Sequence, residues 1–196
     1  MPDVQGLLLV VVAYALGSMS TGYYLVKLRT GQDVRLLGSG STGARNVGRS
    51  LGPPAFVATL AGDAAKGAVA VGAAALAGFS QLGLAVVVIA VFSGHVWPVQ
   101  LQFRGGKGLA TAMGAVLVLD YWIVLVALLV AAIALAISRR FTPSGLVAVA
   151  LAPALAAATG RSSTEVVIGL SALAALIFFA HRQNILSAFG RPQHRR

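Results

Sequence analysis

The chain has 196 residues, 58% of them hydrophobic and only 10% charged, with a formal net charge of +10. Soluble domains run at roughly 45–50% apolar and about 25% charged residues, so this composition, with a mean hydropathy of +0.86, excludes an ordinary soluble domain and indicates an integral membrane protein. Cysteine is absent, which excludes disulfide and thiolate chemistry, and His95, His181 and His194 are too few for a multi-histidine metal centre.

The apolar runs are continuous and rich in Ala, Leu and Val rather than alternating, which predicts helices and not a barrel. In chain order they are Val4–Val26, Pro53–Phe79, Leu82–Val99, Leu109–Leu119, Tyr121–Ser138, Ser144–Thr159 and Thr164–Ala180. The first is long and lacks a basic region or cleavage site before it, so it reads as a retained span. A crossing helix needs about 20 residues. The fourth run is too short and reads as re-entrant, half-depth, or half of a broken span with the fifth. The expected fold class is all-α: a polytopic transmembrane bundle of about seven membrane helices, some short or re-entrant, with five crossings as the lower count. One domain is expected over residues 1–196.

Charge decides the sides. Lys27, Arg29, Arg35, Arg45 and Arg49 follow span one; Arg104 and Lys107 follow span three. Arg139 and Arg140 follow span five, and Arg182, Arg191, Arg195 and Arg196 follow the last, so a seven-span path puts all of them on one face. Only Arg161 falls opposite, beside Asp3, Asp120 and Glu165, while Lys66 lies inside a span. Short cytoplasmic loops are enriched in Lys and Arg. The N-terminus is therefore expected outside and the C-terminus in the cytoplasm. The tail "GRPQHRR" suits anionic lipid headgroups. Nucleic acid is not an expected partner, because the basic residues are scattered over short loops.

Four polar islands interrupt the apolar pattern. "GSGSTGARNVGR", residues 38–49, contains Gly38-x-Gly40-x-x-Gly43, but no strand precedes it and no βαβ unit surrounds it. A Walker A loop fails as well. What remains is local physics: glycines let backbone N–H groups converge on an anion, and hydroxyls with Arg45 and Arg49 add donors. A plain Gly/Ser connection is the competing reading. "FSGHVWPVQLQFRGGKGLAT", residues 92–111, sets Arg104 and Lys107 around glycines at the entry to the short fourth helix, a ready phosphate site. His95, near a span end, reads as a structural hydrogen-bonder.

Asp63 and Lys66 stand at i and i+3 inside the second span. Intramembrane charges usually pair and face the bundle interior, so they read either as a brace or, through Lys66, as part of a polar cavity. "FFAHRQNILSAFG", residues 178–190, places His181 and Asn184 on one helix face where the last span meets the cytoplasm. That pairing suits acid/base work or phosphate binding.

Together these islands resemble the bacterial PlsY family, acyl-phosphate:glycerol-3-phosphate acyltransferases that make lysophosphatidic acid. Its "GSGNxGATN", "GHxFPVFLxFKGGKGVAT" and "HRxNIxRL" motifs correspond here, in order, to "GSGSTGARN", "GHVWPVQLQFRGGKGLAT" and "HRQNILSAF". A "DxxKG" element matches Asp63-Ala-Ala-Lys66-Gly67. Ser41 and Arg45 replace the family's Asn and Thr in the first motif. Pro143 interrupts the stretch after Arg140, where Ser144 or Thr142 stands for the family's serine.

The resemblance implies attack by the glycerol-phosphate hydroxyl on an acyl-phosphate carbonyl, with the acyl chain in a lipid-facing groove. It implies Lys107, Arg49 and His181 on the glycerol-phosphate phosphate. Ser39 and the Gly40–Gly43 backbone would hold the phosphate of the mixed anhydride, with Gly105, Gly106, Lys66 and Ser144 as further binding residues. Asn46 or Asn184 would stabilise the oxyanion, and either His181 or substrate phosphate would take the proton. Direct transfer is expected, without covalent intermediate, cofactor or metal. The expected setting is a monomer in the bacterial inner membrane with its active site on the cytoplasmic face. A small transporter of a phosphorylated or anionic solute is the main alternative, favoured only by Asp63 and Lys66; an inactive lipid-sensing relative is another.

Overall fold

A computed structural model describes residues 4–189. Asp3, Arg191, His194, Arg195 and Arg196 lie outside the described residues. Among those described there are nine α-helices and no strand: α1 (Val4–Ser18), α2 (Thr21–Thr30), α3 (Ala44–Leu51), α4 (Pro53–Leu76), α5 (Gln81–Val96), α6 (Leu109–Leu119), α7 (Tyr121–Ser138), α8 (Phe141–Thr159) and α9 (Thr164–Phe189). Six runs are long and apolar enough to cross a membrane: Val4–Thr30, Pro53–Leu76, Gln81–Leu101, Tyr121–Ser138, Phe141–Thr159 and Thr164–Leu186. The 11-residue α6 is the short member of the bundle, as expected.

Five of the seven runs differ from the sequence reading at their ends. Helix α4 stops at Leu76 rather than Phe79, ahead of the positive-φ turn at Gly78, and α5 spans Gln81–Val96 rather than Leu82–Val99, ending before Pro98. Each of the other three has a physical cause. The first run is interrupted at Met19–Ser20. Carbonyls at a helix end have no partner within the helix, and here they are taken from other elements: Gln100 Nε2 donates to Ser18 O at 2.5 Å, and Lys66 Nζ to Met19 O at 3.0 Å. Helix α8 begins at Phe141 rather than Ser144, because Pro143 sits in the first turn, where its missing N–H costs nothing. Helix α9 runs on past Ala180 to Phe189, so His181 and Asn184 are both helical.

Helix α5 is the axis of the bundle, packed against α1, α4, α6 and α9. Close approach comes from glycine. A Cβ on Gly17 or Gly94 would strike the carbonyls of Val91 and Tyr14 across the α1–α5 contact. On Gly67 or Gly114 it would strike those of Thr111 and Ala64 across α4–α6. Small residues at crossings are the means by which membrane helices gain packing, since lipid offers no hydrophobic drive to associate. Phe92, Val87, Val91 and Ile177 fill the buried centre. Helices α7 and α8 pair at the periphery, and Leu125, Leu129, Ile133 and Ile137 of α7 remain exposed, as lipid-facing side chains are.

Candidate active site

The loop between α2 and α3 is organised by one amide. Asn46, 2% exposed, donates from Nδ2 to Val34 O at 3.1 Å and to Leu37 O and Ser41 O at 2.9 Å, and its Oδ1 accepts from Ser39 N at 2.9 Å. Four backbone groups of a Gly/Ser loop are thereby fixed without regular structure. Arg35 ties this loop to the next by donating to Leu101 O at 2.7 Å. The same guanidinium hydrogen-bonds Asp33 and holds its carboxyl below the usual carboxylate range.

The second loop turns back on itself. Gln102 and Phe103 both take positive φ (56° and 60°), after which Gly105 N donates to Val96 O and Gly106 N to His95 O, each at 3.1 Å. Lys107 is thus delivered beside α9, where its Nζ donates to Asn184 Oδ1 at 2.6 Å. Burial pulls the Lys107 ammonium below the ordinary lysine range, and the charge of Arg45 adds to that.

These elements enclose a polar cavity of about 290 Å³. The first loop and α3 supply Ser39, Ser41, Gly43, Arg45, Asn46 and Arg49; Lys107, Thr142, His181 and Asn184 complete the rim, and Asp63 and His95 line it from the bundle interior. Arg45 donates to Thr142 Oγ1 at 2.7 Å and lies over the Phe141 ring, clamping α3 to the start of α8. Arg49 is exposed and makes no hydrogen bond or ion pair among the described residues. His181 is buried, with Nδ1 2.9 Å from Ile177 O. A carbonyl only accepts, so Nδ1 carries the hydrogen and Nε2 is left to face the cavity.

The remaining residues expected at the site stand elsewhere. Lys66 is 6% exposed and lies outside the lining; its ammonium hydrogen-bonds Met19 O (3.0 Å) and His95 Nδ1 (2.9 Å) and forms an ion pair with Asp63 Oδ1 at 3.0 Å. Ser144 Oγ donates to Arg140 O at 2.8 Å and meets Ser138 Oγ at 3.0 Å, closing the α7–α8 turn; of the two hydroxyls after Arg140, Thr142 is the one in the cavity. Gly40, Gly105 and Gly106 shape the two loops from outside the lining. The Asn46 amide donors are already engaged by loop carbonyls, while Asn184 stands at the rim with its Oδ1 accepting from Lys107.

An apolar groove of about 390 Å³ opens alongside, walled by α6, α7, α8 and α9. It shares Leu60, Leu109, Ala110 and Phe141 with the polar cavity, so the two spaces adjoin across a common wall.

A family model described as Glycerol-3-phosphate acyltransferase matches residues 7–190. The chain belongs to that family. It is 46% identical over 190 residues to glycerol-3-phosphate acyltransferase 1 of Desulfitobacterium hafniense (strain Y51), covering 97% of this chain and 94% of the relative. It is 40% identical to the glycerol-3-phosphate acyltransferase of Aromatoleum aromaticum (strain DSM 19018 / LMG 30748 / EbN1), over 91% of this chain and 90% of that one. Among solved structures it resembles PlsY (YgiH), an integral membrane glycerol 3-phosphate acyltransferase. The glycerol 3-phosphate form superposes with a TM-score of 0.88 at 32% identity, covering 98% of this chain and 96% of the other. The lysophosphatidic acid form gives 0.86 at 31%, covering 97% and 95%. The PlsY resemblance read from the three motifs is borne out, and with it an acyltransferase rather than a transporter.

Sequence reasoning placed neither Asp63 nor His95 in the lining of this acyltransferase's cavity. The charge pair itself carried a signal, because an ion pair inside a span requires further polar partners. Nothing in the spacing showed that the partner would be His95, since that depends on how α4 and α5 rotate against each other.

Proposed function

We propose that this glycerol-3-phosphate acyltransferase takes its acyl group from an acyl phosphate and forms lysophosphatidic acid and inorganic phosphate in the polar cavity. The observation that carries the reading is the shared wall: the space on one side of it is cationic and the space on the other apolar, as a reaction joining a phosphorylated alcohol to a lipid chain requires.

In the proposed reaction the glycerol hydroxyl oxygen attacks the acyl carbonyl carbon. The bond between that carbon and the phosphate oxygen breaks, and phosphate leaves with the electron pair. Lys107 and Arg49 hold the glycerol-phosphate dianion by charge-assisted hydrogen bonds. Ser39 and the N–H groups of the Asn46-braced loop receive the anhydride phosphate. Asn184, held by Lys107, lies where an amide donor serves the oxyanion; such a donor is worth about 2.7–4 kcal/mol. The proton passes to the departing phosphate or to His181 Nε2. The basic residues gathered on one side of the membrane path support a cavity open to the cytoplasm, in a one-domain monomer of the bacterial inner membrane.

Purified protein in liposomes, given acyl phosphate and radiolabelled glycerol 3-phosphate, is expected to form labelled lysophosphatidic acid with one phosphate per product. Product from acyl-CoA but none from acyl phosphate overturns the proposed donor. His181→Ala with an unchanged pH profile leaves the proton to substrate phosphate; loss of the limb set by an imidazole assigns it to His181.

A further inference from the structure

The interior wall of the cavity holds a polar group that substrate binding by the rim leaves unused. His95 is 2% exposed and lines the cavity beside Asp63. Its Nδ1 lies 2.9 Å from Lys66 Nζ. Lys66 in turn pairs with the Asp63 carboxylate at 3.0 Å and donates to Met19 O at 3.0 Å. An ammonium has three hydrogens to give and no lone pair. Three acceptors surround Lys66, and Nδ1 is one of them. Nδ1 is therefore an acceptor, and a neutral imidazole that accepts at Nδ1 carries its hydrogen on Nε2.

Nothing among the described residues hydrogen-bonds Nε2. It is instead opposed by Gly106, at the foot of the Lys107 loop, and a Cβ on Gly106 would overlap it. Only glycine lets the loop pass this close to the ring. Asp63 Oδ1, 3.7 Å from Nδ1, is neutralised by Lys66, so the wall does not repel an anion. A donor N–H without a protein partner, on a residue that lines a cavity, gains free energy when a ligand accepts from it.

We infer that His95 is a catalytic residue that presents Nε2–H to an anionic oxygen of the bound substrate, with Lys66 and Asp63 as positioning residues that lock it as a donor. The oxygen belongs either to a phosphoryl group or to the carbonyl as it becomes an oxyanion. This rests on the cavity receiving phosphorylated substrate, as proposed above. The lock makes His95 a poor base: taking a proton at Nδ1 would require Lys66 to give up its bond.

Two isosteres separate the roles. Asn at 95 keeps an acceptor for Lys66 but places no donor at the Nε2 position; Gln keeps the donor but loses the Nδ1 acceptor. With Tm measured alongside, His95→Asn is expected to stay folded and lose about 10²-fold in kcat/KM, while His95→Gln stays within about tenfold of the parent. Parental kcat and KM in His95→Asn overturn the inference, as does His95→Gln falling as far as His95→Asn.

A second measurement needs no variant of His95. Nitrogen NMR of histidine-labelled protein, assigned with His181→Gln and His194→Gln, is expected to show His95 as the Nε2–H tautomer, its proton resonance moving as inorganic phosphate is added. An Nδ1–H or doubly protonated ring overturns it, as does a resonance indifferent to saturating phosphate together with parental kcat and KM in His95→Asn. Failure of the parent to use acyl phosphate, with the phosphate shift intact, overturns the proposed donor substrate and leaves His95 in place.

The two arms also distinguish which oxygen is met. A shift with free phosphate and a raised KM in His95→Asn indicate the phosphoryl oxygen. Loss confined to kcat indicates the oxyanion.

Discussion

The inner wall and the rim of the cavity each carry a histidine, and they are held in opposite senses. His95 accepts at Nδ1 from Lys66 and offers a hydrogen at Nε2; His181 donates at Nδ1 to Ile177 O and offers a lone pair at Nε2. The inner wall is locked by an ion pair inside the bundle and by the hydrogen bonds of Lys66 to Met19 O and His95. At the rim, Arg49 is exposed and without a protein partner among the described residues, and Lys107 is half-buried against Asn184. A fixed donor costs no reorganisation during reaction, whereas the rim has to admit and release a small phosphorylated molecule. The same residue type serves both ends because its neighbours choose which ring nitrogen holds the hydrogen.

The sharpest way to break that contrast is at Lys107. Truncating one partner of a buried charged hydrogen bond costs about 2–5 kcal/mol, so Lys107→Ala is expected to lose roughly two to three decades of kcat/KM in the liposome assay. Since burial and Arg45 lower the Lys107 pKa, the parent needs a charge that disappears as pH rises through a value below that of ordinary lysine. Lys107→Arg stays charged and should extend activity to higher pH, even where its peak rate is reduced.

Asn46→Ala tests whether the first loop is held or merely present. Four backbone groups lose their partner at once, and the expected cost is about 3 kcal/mol in unfolding with collapse of activity. Asn46→Asp should be no better, since its carboxylate would face three carbonyls. A parental Tm in Asn46→Ala would show that the loop is braced by other means.

Smaller effects are expected where rim and turn divide. Thr142→Val frees Arg45 and should raise the KM for glycerol 3-phosphate by about three- to tenfold, the worth of one hydrogen bond to a charged group. Ser144→Ala should leave KM unchanged and lower stability by about 1 kcal/mol. Equal kinetic effects of the two would place Ser144 in the site after all. Arg35→Ala, which unties the first loop from Leu101, should cost about 1–2 kcal/mol of stability, read as Tm, with little change in kcat.

Membrane class, helical fold and the short fourth helix were legible because each follows from local composition and run length. The three motifs identified the family for a related reason: spacing along the chain survives in a linear string. Pro143 misplaced the start of α8 only because a proline in a first turn is indistinguishable, in sequence, from one that precedes a helix. The assignments of Lys66 and Ser144 to substrate rested on motif correspondence, which does not fix where a side chain points.

What only the tertiary structure decided is which polar atoms remain free. Lys66 carries the charge a phosphate site needs, yet it is engaged in hydrogen bonds to Met19 O and His95 and an ion pair with Asp63. His95 has the features of a structural hydrogen-bonder, yet it also lines the cavity. Such outcomes depend on distances between α1, α4 and α5, set by glycine contacts far along the chain from the groups they align. A hydrogen bond is satisfied in space, so sequence names the donors and the fold decides who receives them.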